Sequence, residues 1–405
     1  MRLFLETSSS YFVFMKICIL TPRFPFPENG GDVLRINNIA RYLKVKGHSL
    51  VLVSLSDTDQ PDIEGAKTLY DYVYVTHRNH ALSLIHGLFF MLSGRPIQCG
   101  YYHSSAYRKL LKEVVEHEQP DLFISHLLRM SPYLEHLHVE AQSIVEMTDA
   151  LSKTYVMSAN AKGGGLKKWV YNVERNLIRK YEQHVIHTFP KVVLVSQADV
   201  DFLRQSALPP HISALSLKMY TNGVNCMDQL PDAYDENKIC FVGNMRTLQN
   251  QDAVLYFVKD VFPLIKKEKP TAKFYIVGAE PSQSIQDLAS DDVVVTGFVD
   301  DLEANISDSC LAVAPVRVAA GIQNKVLVTM GCGLPVVMSS LISKAIPELR
   351  DGENCFICDE AEDIARRCLQ LMEDSAIRDT LGRNGYEMVR QNYSWTEKLH
   401  GYELL

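Results

Sequence analysis

The feature that most constrains the fold is an apolar run, a glycine-bearing loop, a helical segment and a second apolar run, in that order. It occupies residues 311–338, where the loop carries Arg317 and Gly321 and the helical pattern passes through Lys325. Open α/β sheets bind ligands at loops that follow the carboxyl ends of parallel strands. Helix-start N–H groups favour anions, and Gly321 has no Cβ to keep a phosphate away. The pattern predicts a phosphate site, the alternative being an ordinary βαβ crossover with two solvated basic residues.

The same order of elements opens the chain. Residues 16–20 form an apolar run, a proline-dense loop ends in the pair Gly30 and Gly31, and helical periodicity follows over residues 32–46. We predict Asp32 as the N-cap of that helix. A strand, a helix and a second strand make the right-handed unit of a doubly wound sheet. The glycine pair does not match a GxGxxG fingerprint, so it is either a flexible turn or a loop that lets the backbone approach a ligand.

The alternation of strands and helices restarts after residues 206–216, a segment with two prolines that we predict as a linker. The repeated pattern indicates an α/β protein with two doubly wound, Rossmann-like domains. We predict an irregular N-terminal extension, an N-terminal domain, a C-terminal domain and a C-terminal helix, at residues 1–14, 15–210, 211–385 and 386–405.

Composition excludes several classes of function. The formal net charge of −7 argues against a general nucleic-acid binder. No run reaches the roughly 20 apolar residues of a spanning helix, and the first residues lack a signal-peptide pattern. The nine cysteines are scattered, and the single CxxC at Cys355 and Cys358 lacks a second pair or a histidine set. We therefore expect no metal and no cofactor, a helix cap at Asp300-Asp301 rather than a metal ligand, and a cytoplasmic protein.

Three polar side chains stand at the carboxyl tips of two predicted strands. His126 follows residues 121–125, where it either faces the ligand crevice or is a satisfied, partly buried histidine. Glu146 and Asp149 lie at the end of residues 143–147. Such carboxylates orient substrate hydroxyls or transfer protons, the alternative being a helix cap and a surface acid. We predict catalytic roles for His126 and Asp149.

A long predicted helix at residues 166–187 has a basic face. Such a face either contacts an anionic membrane or is simply solvated. Its basic residues are Lys167, Lys168, Arg175, Arg179 and Lys180.

Several segments, in this order and spacing, carry a resemblance to a known family. They read KICILTPRFPFPENGGDVLRINNIARYL, VSQADVDFL, NGVN, FVGNMRTLQNQDAVLYF, FYIVG, VVVTGFVDDL, APVRVAAGIQNKVL, GLPVV and YSW. The chain resembles family 4 glycosyltransferases, and within them it is similar to sugar transferases associated with exopolysaccharide loci. The resemblance implies the GT-B fold, with two facing domains, an interdomain cleft and a C-terminal helix that crosses back to the N-terminal domain. It also implies that the N-terminal domain is on the acceptor side and that the C-terminal domain binds the nucleotide-sugar.

The resemblance also implies an activity. Such a hexosyltransferase moves a sugar from a nucleotide-diphosphate-sugar to a hydroxyl of a saccharide or lipid-linked saccharide, with retention and without a cofactor, in the cytoplasm or peripherally on the inner face of the membrane. His126 matches the histidine near the transferred sugar, and Gly30 and Gly31 match the loop that approaches the donor phosphates. The other matched donor-binding positions are Gly243, Asn244, Arg246, Arg317, Gly321, Ile322, Gln323, Asn324 and Lys325.

Three positions depart from the family pattern. Val328 stands where the family has the glutamate that holds the ribose, Ala320 replaces the earlier acid of that pair, and Asn244 replaces a basic residue. Loss of a carboxylate hydrogen bond weakens donor binding by roughly 1.5–3 kcal/mol. Two alternatives follow: a catalytically weak or inactive glycosyltransferase-like binding protein, and a nucleotide-sugar epimerase of the same fold.

Overall fold

The computed structural model describes residues 14–28, 30–137, 142–159, 166–205, 216–231, 233–318 and 323–402. The chain divides into two compact units, Met1–Asn222 with Leu399–Leu405, and Gly223–Lys398. The division falls after Asn222 rather than at residue 210, because a short strand, Leu217–Met219, pairs in parallel within the first unit's sheet. The predicted linker falls almost wholly outside the described residues.

The first unit contains a seven-stranded parallel sheet in the order β3-β2-β1-β4-β5-β6-β7. Its inner strands form because they are runs of apolar residues that helices cover on both faces, and Ile17, Cys18 and Ile19 are fully buried. The strands are β1 Lys16–Thr21, β2 Ser49–Ser56, β3 Tyr72–His77, β4 Leu122–His126, β5 Gln142–Thr148, β6 Lys191–Leu194 and β7 Leu217–Met219.

Nine α-helices are described in the first unit, together with 3₁₀ turns at Leu128–Met130 and His400–Tyr402. The helices are α1 Gly31–Val45, α2 Ile63–Lys67, α3 His80–Leu92, α4 Ile97–Tyr101, α5 Ser105–Glu118, α6 Ser131–Leu134, α7 Leu151–Ala159, α8 Leu166–Thr188 and α9 Gln197–Gln205. The prediction that Asp32 caps α1 is wrong. Gly30 is the N-cap, and Asp32 lies inside the first turn, where it pairs with Arg23.

The second unit contains a six-stranded parallel sheet in the order β10-β9-β8-β11-β12-β13. Its core is a single apolar cluster that includes Phe241, Phe257 and Phe274. The strands are β8 Asp235–Val242, β9 Lys273–Val277, β10 Val293–Gly297, β11 Ser309–Ala314, β12 Val336–Met338 and β13 Phe356–Ile357.

The helices of the second unit surround this sheet. A π-helical turn, Phe257–Val261, joins the first two of them, and Asp301 caps α13 through the backbone N–H of Ala304, as predicted. The predicted helical stretch over residues 360–393 is two helices, because Asp374 caps the second. The helices are α10 Leu248–Tyr256, α11 Phe262–Glu268, α12 Gln283–Gln286, α13 Leu302–Ile306, α14 Asn324–Gly331, α15 Ser340–Ser343, α16 Ala361–Glu373, α17 Ser375–Asn392 and α18 Trp395–Leu399.

Neither a membrane span nor a metal cluster is found in the described part of the chain. No helix there combines the length and apolar character that crossing a bilayer requires. No group of three or more His, Cys, Asp or Glu side chains in the same ranges converges as metal ligands would. Cys355 and Cys358 are free thiols, and burial raises the pKa of both.

A buried ion pair stabilises the first unit and gives Glu146 a structural role. The side chains of Arg35 on α1 and Glu146 on β5 are completely buried, with Arg35 Nε 2.9 Å from Glu146 Oε1 and Nη2 3.1 Å from Oε2. Arg35 also donates to Asn222 Oδ1 and to the carbonyl oxygen of Tyr220, while the Tyr402 hydroxyl donates to Glu146. A surface acid at Glu146, one of the two interpretations of this strand end, is therefore wrong, because its side chain is completely buried.

Replacing Glu146 by glutamine should destabilise the protein strongly. The Glu146→Gln variant leaves the buried guanidinium of Arg35 without a counter-charge, so we expect the free energy of unfolding to fall by about 3–5 kcal/mol. Chemical denaturation measures this change. The matched control is Glu116→Gln on the exposed face of α5, which should change stability by less than about 0.5 kcal/mol. Equal, small effects of both substitutions would contradict a stabilising role for the pair.

Candidate functional site

Two loops meet closely at the carboxyl ends of β8 and β9. The N–H of Gly243 donates to the carbonyl oxygen of Val277 at 3.0 Å, and the N–H of Met245 donates to that of Ala279 at 2.9 Å. Gly278 has a φ of 152°, and a Cβ there would overlap the Gly243 carbonyl oxygen. Only glycine fits this contact, which fixes the loop after β8 at the edge of the sheet where parallel α/β folds bind ligands.

Lys325 lies in the first turn of α14, on the same side of the sheet as these loops. Its side chain reaches the end of β8, where Nζ lies 5.0 Å from the centroid of the Phe241 ring and donates to Oδ1 of Asn250. Asn250 is buried and donates from Nδ2 to the carbonyl oxygen of Asn244 at 2.9 Å. Asn250 therefore connects Lys325 to the loop that follows β8.

The hydrogen-bond partner of Lys325 is a neutral amide, so the positive charge of Lys325 is not compensated by that partner. No carboxylate of the described residues lies within ion-pair distance of the ammonium group, and burial lowers the pKa of Lys325 to about 8. Most Lys325 side chains are still protonated at pH 7. The second unit thus holds a partly buried cation whose charge no neighbouring acid neutralises, which is the arrangement an anionic ligand requires.

The two predicted arginines of this unit differ from Lys325, because each is neutralised by a carboxylate. Arg317 bonds Asp252 through Nε at 3.0 Å and through Nη2 at 2.5 Å, and its guanidinium lies 4.6 Å from the Tyr256 ring centroid. Arg246 pairs with Glu280 on the exposed surface. Among the predicted donor-binding cations, Lys325 is the one that remains uncompensated within the described chain.

The loop before α14 is described only in part. Gly321, Ile322 and Ala320 lie outside the described residues. Gln323 is buried and is the N-cap residue of α14, while Asn324 is exposed. Val328 is half-buried and packs against the apolar core of the second unit. Its side chain carries no hydrogen-bond acceptor.

In the first unit, His126 ends β4 as predicted, and it is almost completely buried. Neither ring nitrogen has a hydrogen-bond partner among the described residues. Burial lowers the pKa of His126 to about 3, against the opposing charge of Asp32. The imidazole is therefore neutral at physiological pH, with one donor and one acceptor free for a ligand. A buried polar group without a partner destabilises a fold, so this one indicates a ligand site.

The glycine pair near the start of α1 has two different members. Gly30 lies at a φ of 111°, where other residues are strained, and an added Cβ would stand 3.4 Å from Arg23 and Asp32. Gly31 has no neighbour within 4 Å of an added Cβ, so space does not require glycine there. Arg23 and Asp32 pair with each other beside this turn. The role of the pair in approaching donor phosphates stays a prediction.

Asp149 follows β5 directly, on an exposed surface. Partial desolvation of its carboxyl group, and then the charge of Asp199, raise the pKa of Asp149. His126 pairs in register with Glu146, so Asp149 and His126 come from the carboxyl ends of adjacent strands. The catalytic role of Asp149 stays a prediction.

The residues that surround the three cations of the site carry little distinguishing pattern in the sequence. Asn250 and Phe241 hold Lys325, while Asp252 and Glu280 neutralise the two arginines. Asn250 stands in a polar helical stretch and has no distinguishing spacing. Glu280 follows Gly278 at a strand end, which is the only signal that could have marked it.

The second unit contains a segment that matches a known family model. Residues 236–374 match the family model described as Glycosyl transferases group 1, a segment that begins in β8 and ends at the cap of α17. A relative described as an uncharacterized 44.6 kDa protein in the cps region of Klebsiella pneumoniae is 21% identical over 394 residues. The alignment covers 93% of this chain and 96% of that protein.

Two solved structures illustrate the similarity of fold. A glycosyltransferase from Rickettsia africae has a TM-score of 0.57 at 14% identity, with 96% of this chain and 97% of that chain covered. HepE from Anabaena, crystallised with UDP-glucose, has a TM-score of 0.55 at 14% identity, with 96% and 99% covered. The fold is GT-B. The family-model match supports a glycosyltransferase.

Replacing Lys325 by methionine should stabilise the protein at neutral pH. The folded-state pKa of Lys325, about 8, lies below its ordinary value of 10.5, so its charge destabilises the fold below pH 8. We expect Lys325→Met to raise the free energy of unfolding by on the order of 1 kcal/mol, because relief from desolvation exceeds the lost bond to Asn250.

Urea denaturation at several pH values measures this effect. The advantage of the methionine variant should shrink as the pH rises from about 8 towards 10.5, where the folded wild type loses its proton before the unfolded chain does. The control is Lys267→Met on the exposed face of α11, which should have no effect. If Lys325→Met were less stable than the wild type, the claim that the charge of Lys325 is uncompensated would be contradicted.

Proposed function

We propose that this protein is a hexosyltransferase that moves a sugar from a nucleotide-diphosphate-sugar to a hydroxyl acceptor, with retention of configuration. The observation that carries the proposal is the uncompensated cation of Lys325 at the carboxyl end of a parallel sheet. The match of residues 236–374 to Glycosyl transferases group 1 and the similarity to HepE, crystallised with UDP-glucose, support it.

Lys325 binds the donor's diphosphate, and the N–H groups at the start of α14 add their partial positive charge. The neutral partner Asn250 keeps the ammonium in place without cancelling its charge. As the bond to the sugar breaks, negative charge grows on the leaving phosphate oxygen. A cation already oriented in a partly buried site stabilises that charge more than bulk water would.

The chemistry requires one bond to form and one to break on the same face of the sugar. The acceptor oxygen bonds to the anomeric carbon, the bond from that carbon to the β-phosphate oxygen breaks, and the acceptor proton passes to the leaving phosphate. Neutral His126 exchanges hydrogen bonds with a sugar hydroxyl through its two free ring nitrogens. Asp149 orients the acceptor hydroxyl in this proposal.

The biological setting that we propose is the assembly of exopolysaccharide or another cell-surface glycan, with a saccharide or lipid-linked saccharide as acceptor. The relative in the cps region of Klebsiella pneumoniae supports this setting. All nine cysteines are free thiols, as is usual in a reducing compartment, so we place the enzyme in the cytoplasm.

A second candidate function is a protein that binds a nucleotide-sugar or a glycan-assembly component without turning it over. Val328 favours it, because a half-buried valine replaces the carboxylate that the family uses to hold the ribose. In this case the donor would bind weakly or not at all, and no sugar would be transferred.

Titration with nucleotide-sugars tests the proposed function. Calorimetry with a panel that begins with UDP-glucose should show binding to the wild type, and Lys325→Ala should weaken it about ten- to hundredfold, because a charge-assisted contact is lost. Arg317→Ala is the matched control. Asp252 already neutralises Arg317, so we expect this variant to weaken binding by less than about threefold.

Turnover separates the two candidate functions. The transferase is supported if the wild type transfers the sugar to an acceptor glycan, or slowly releases free sugar, and if Lys325→Ala abolishes this turnover. Donor binding without turnover supports the second candidate. Binding that is lost equally in the Lys325 and Arg317 variants would contradict the assignment of the anion to Lys325.

A further inference from the structure

Helix α3 presents its largest apolar side chains to solvent. Six of its thirteen residues are large, apolar and between 52% and 77% exposed. They are Leu82, Leu84, Ile85, Leu88, Phe89 and Leu92. At 100° per residue these six side chains occupy a broad face of the helix. A contiguous apolar surface of this kind is unusual on a soluble protein and marks an interaction site.

The helix attaches to the first unit by a narrow stripe of three residues, two of which are small. Ser83, Gly87 and Phe90 are the buried positions, and they form one narrow stripe opposite the apolar face. A Cβ added at Gly87 would stand 3.2 Å from Ile97, and one added at Gly100 would collide with the carbonyl oxygen of His86. Close packing on α4 therefore holds α3 while its bulky side chains point away from the protein.

The stretch of chain that contains this helix is free of acidic residues. Residues 72–112 contain no aspartate or glutamate, although the chain as a whole carries 48 in 405 residues. The same stretch contains five arginine or lysine residues, Arg78, Arg95, Arg108, Lys109 and Lys112. Asp57 neutralises Arg78, whereas Arg95 is exposed just beyond the end of α3, 5.9 Å from the Phe90 ring centroid.

We propose that the exposed face of α3 docks the protein on an anionic lipid bilayer. Thirteen residues rise about 20 Å, too short for the roughly 30 Å hydrocarbon core, so the helix lies in the interface plane with its apolar side chains among the acyl chains. Arg95 meets the acidic headgroups. The stretch itself contributes no carboxylate that would oppose contact with the bilayer. Asp57 lies 3.8 Å from His80 at the start of α3, and its charge is compensated by Arg78.

The same observations disfavour a second copy of this chain as the occupant. Two copies meeting through α3 would bring their Arg95 side chains to one interface, and residues 72–112 supply no acid to match them. Asp57, beside the start of α3, is already paired with Arg78. A bilayer with acidic headgroups satisfies both the apolar face and the charge. The proposal does not depend on donor binding, so it can fail while the proposed function stands.

Sedimentation of the full chain with lipid vesicles tests the proposal. One set of vesicles is phosphatidylcholine alone, and the other contains about 30% phosphatidylglycerol. We expect the wild type to bind the anionic vesicles. The affinity for them should fall by at least about tenfold in Leu88→Glu/Phe89→Glu and by about fivefold in Arg95→Gln. The matched control, Val45→Glu/Leu248→Glu, adds the same charges at other exposed apolar positions and should bind as the wild type does.

Further outcomes decide against the proposal. It is overturned if the α3 double variant sediments like the wild type, if the wild type binds neither set, or if it binds both sets equally. Light scattering that shows a dimer of the wild type and a monomer of the α3 variant would assign the face to self-association. Loss of binding in Arg179→Gln/Lys180→Gln, with α3 variants unaffected, would assign the contact to the basic face of α8 instead. Unchanged thermal unfolding of the α3 variant shows that the fold is intact.

Discussion

The proposed anion site of the second unit depends on a cation that is partly buried beside an aromatic ring and held by a neutral amide. A carboxylate partner would stabilise the protonated form of Lys325, and the pKa of Lys325 would then lie above rather than below its ordinary value. The fold provides Asn250 instead, and Asn250 is itself fixed by the backbone of the loop after β8. The positive charge is therefore retained in a position where no carboxylate of the described residues neutralises it.

The first unit shows the same principle with a different group. His126 ends a parallel strand with both ring nitrogens unpartnered, and burial keeps the imidazole neutral. One strand away, Glu146 is fully satisfied by Arg35 and Tyr402, so its charge stabilises the fold rather than a substrate. In both units the groups that we assign to ligand binding are those that the fold leaves incompletely satisfied, which is how binding sites lower stability.

The sequence predicted the fold well, because it is encoded in local patterns. Apolar runs, glycine-bearing loops and helical periodicity located α14 and the main strands within a few residues, and the resemblance to family 4 glycosyltransferases implied GT-B. It predicted the site less completely. Whether a charged side chain is neutralised depends on partners that are distant in sequence. Asp252 neutralises Arg317 in this way, and Arg35 neutralises Glu146. The prediction of an N-cap at Asp32 was wrong, because Gly30 adopts a backbone conformation that the spacing of residues in the sequence does not reveal.

The most direct test of this account is the pKa of Lys325 in solution. A ¹³C-lysine NMR titration of the whole protein, with the signal assigned through Lys325→Arg, reads that value. The account predicts a midpoint near 8 in the free protein. Adding UDP should raise the midpoint, since the diphosphate supplies the missing negative charge. A midpoint at the ordinary value of 10.5 that UDP leaves unchanged would contradict it.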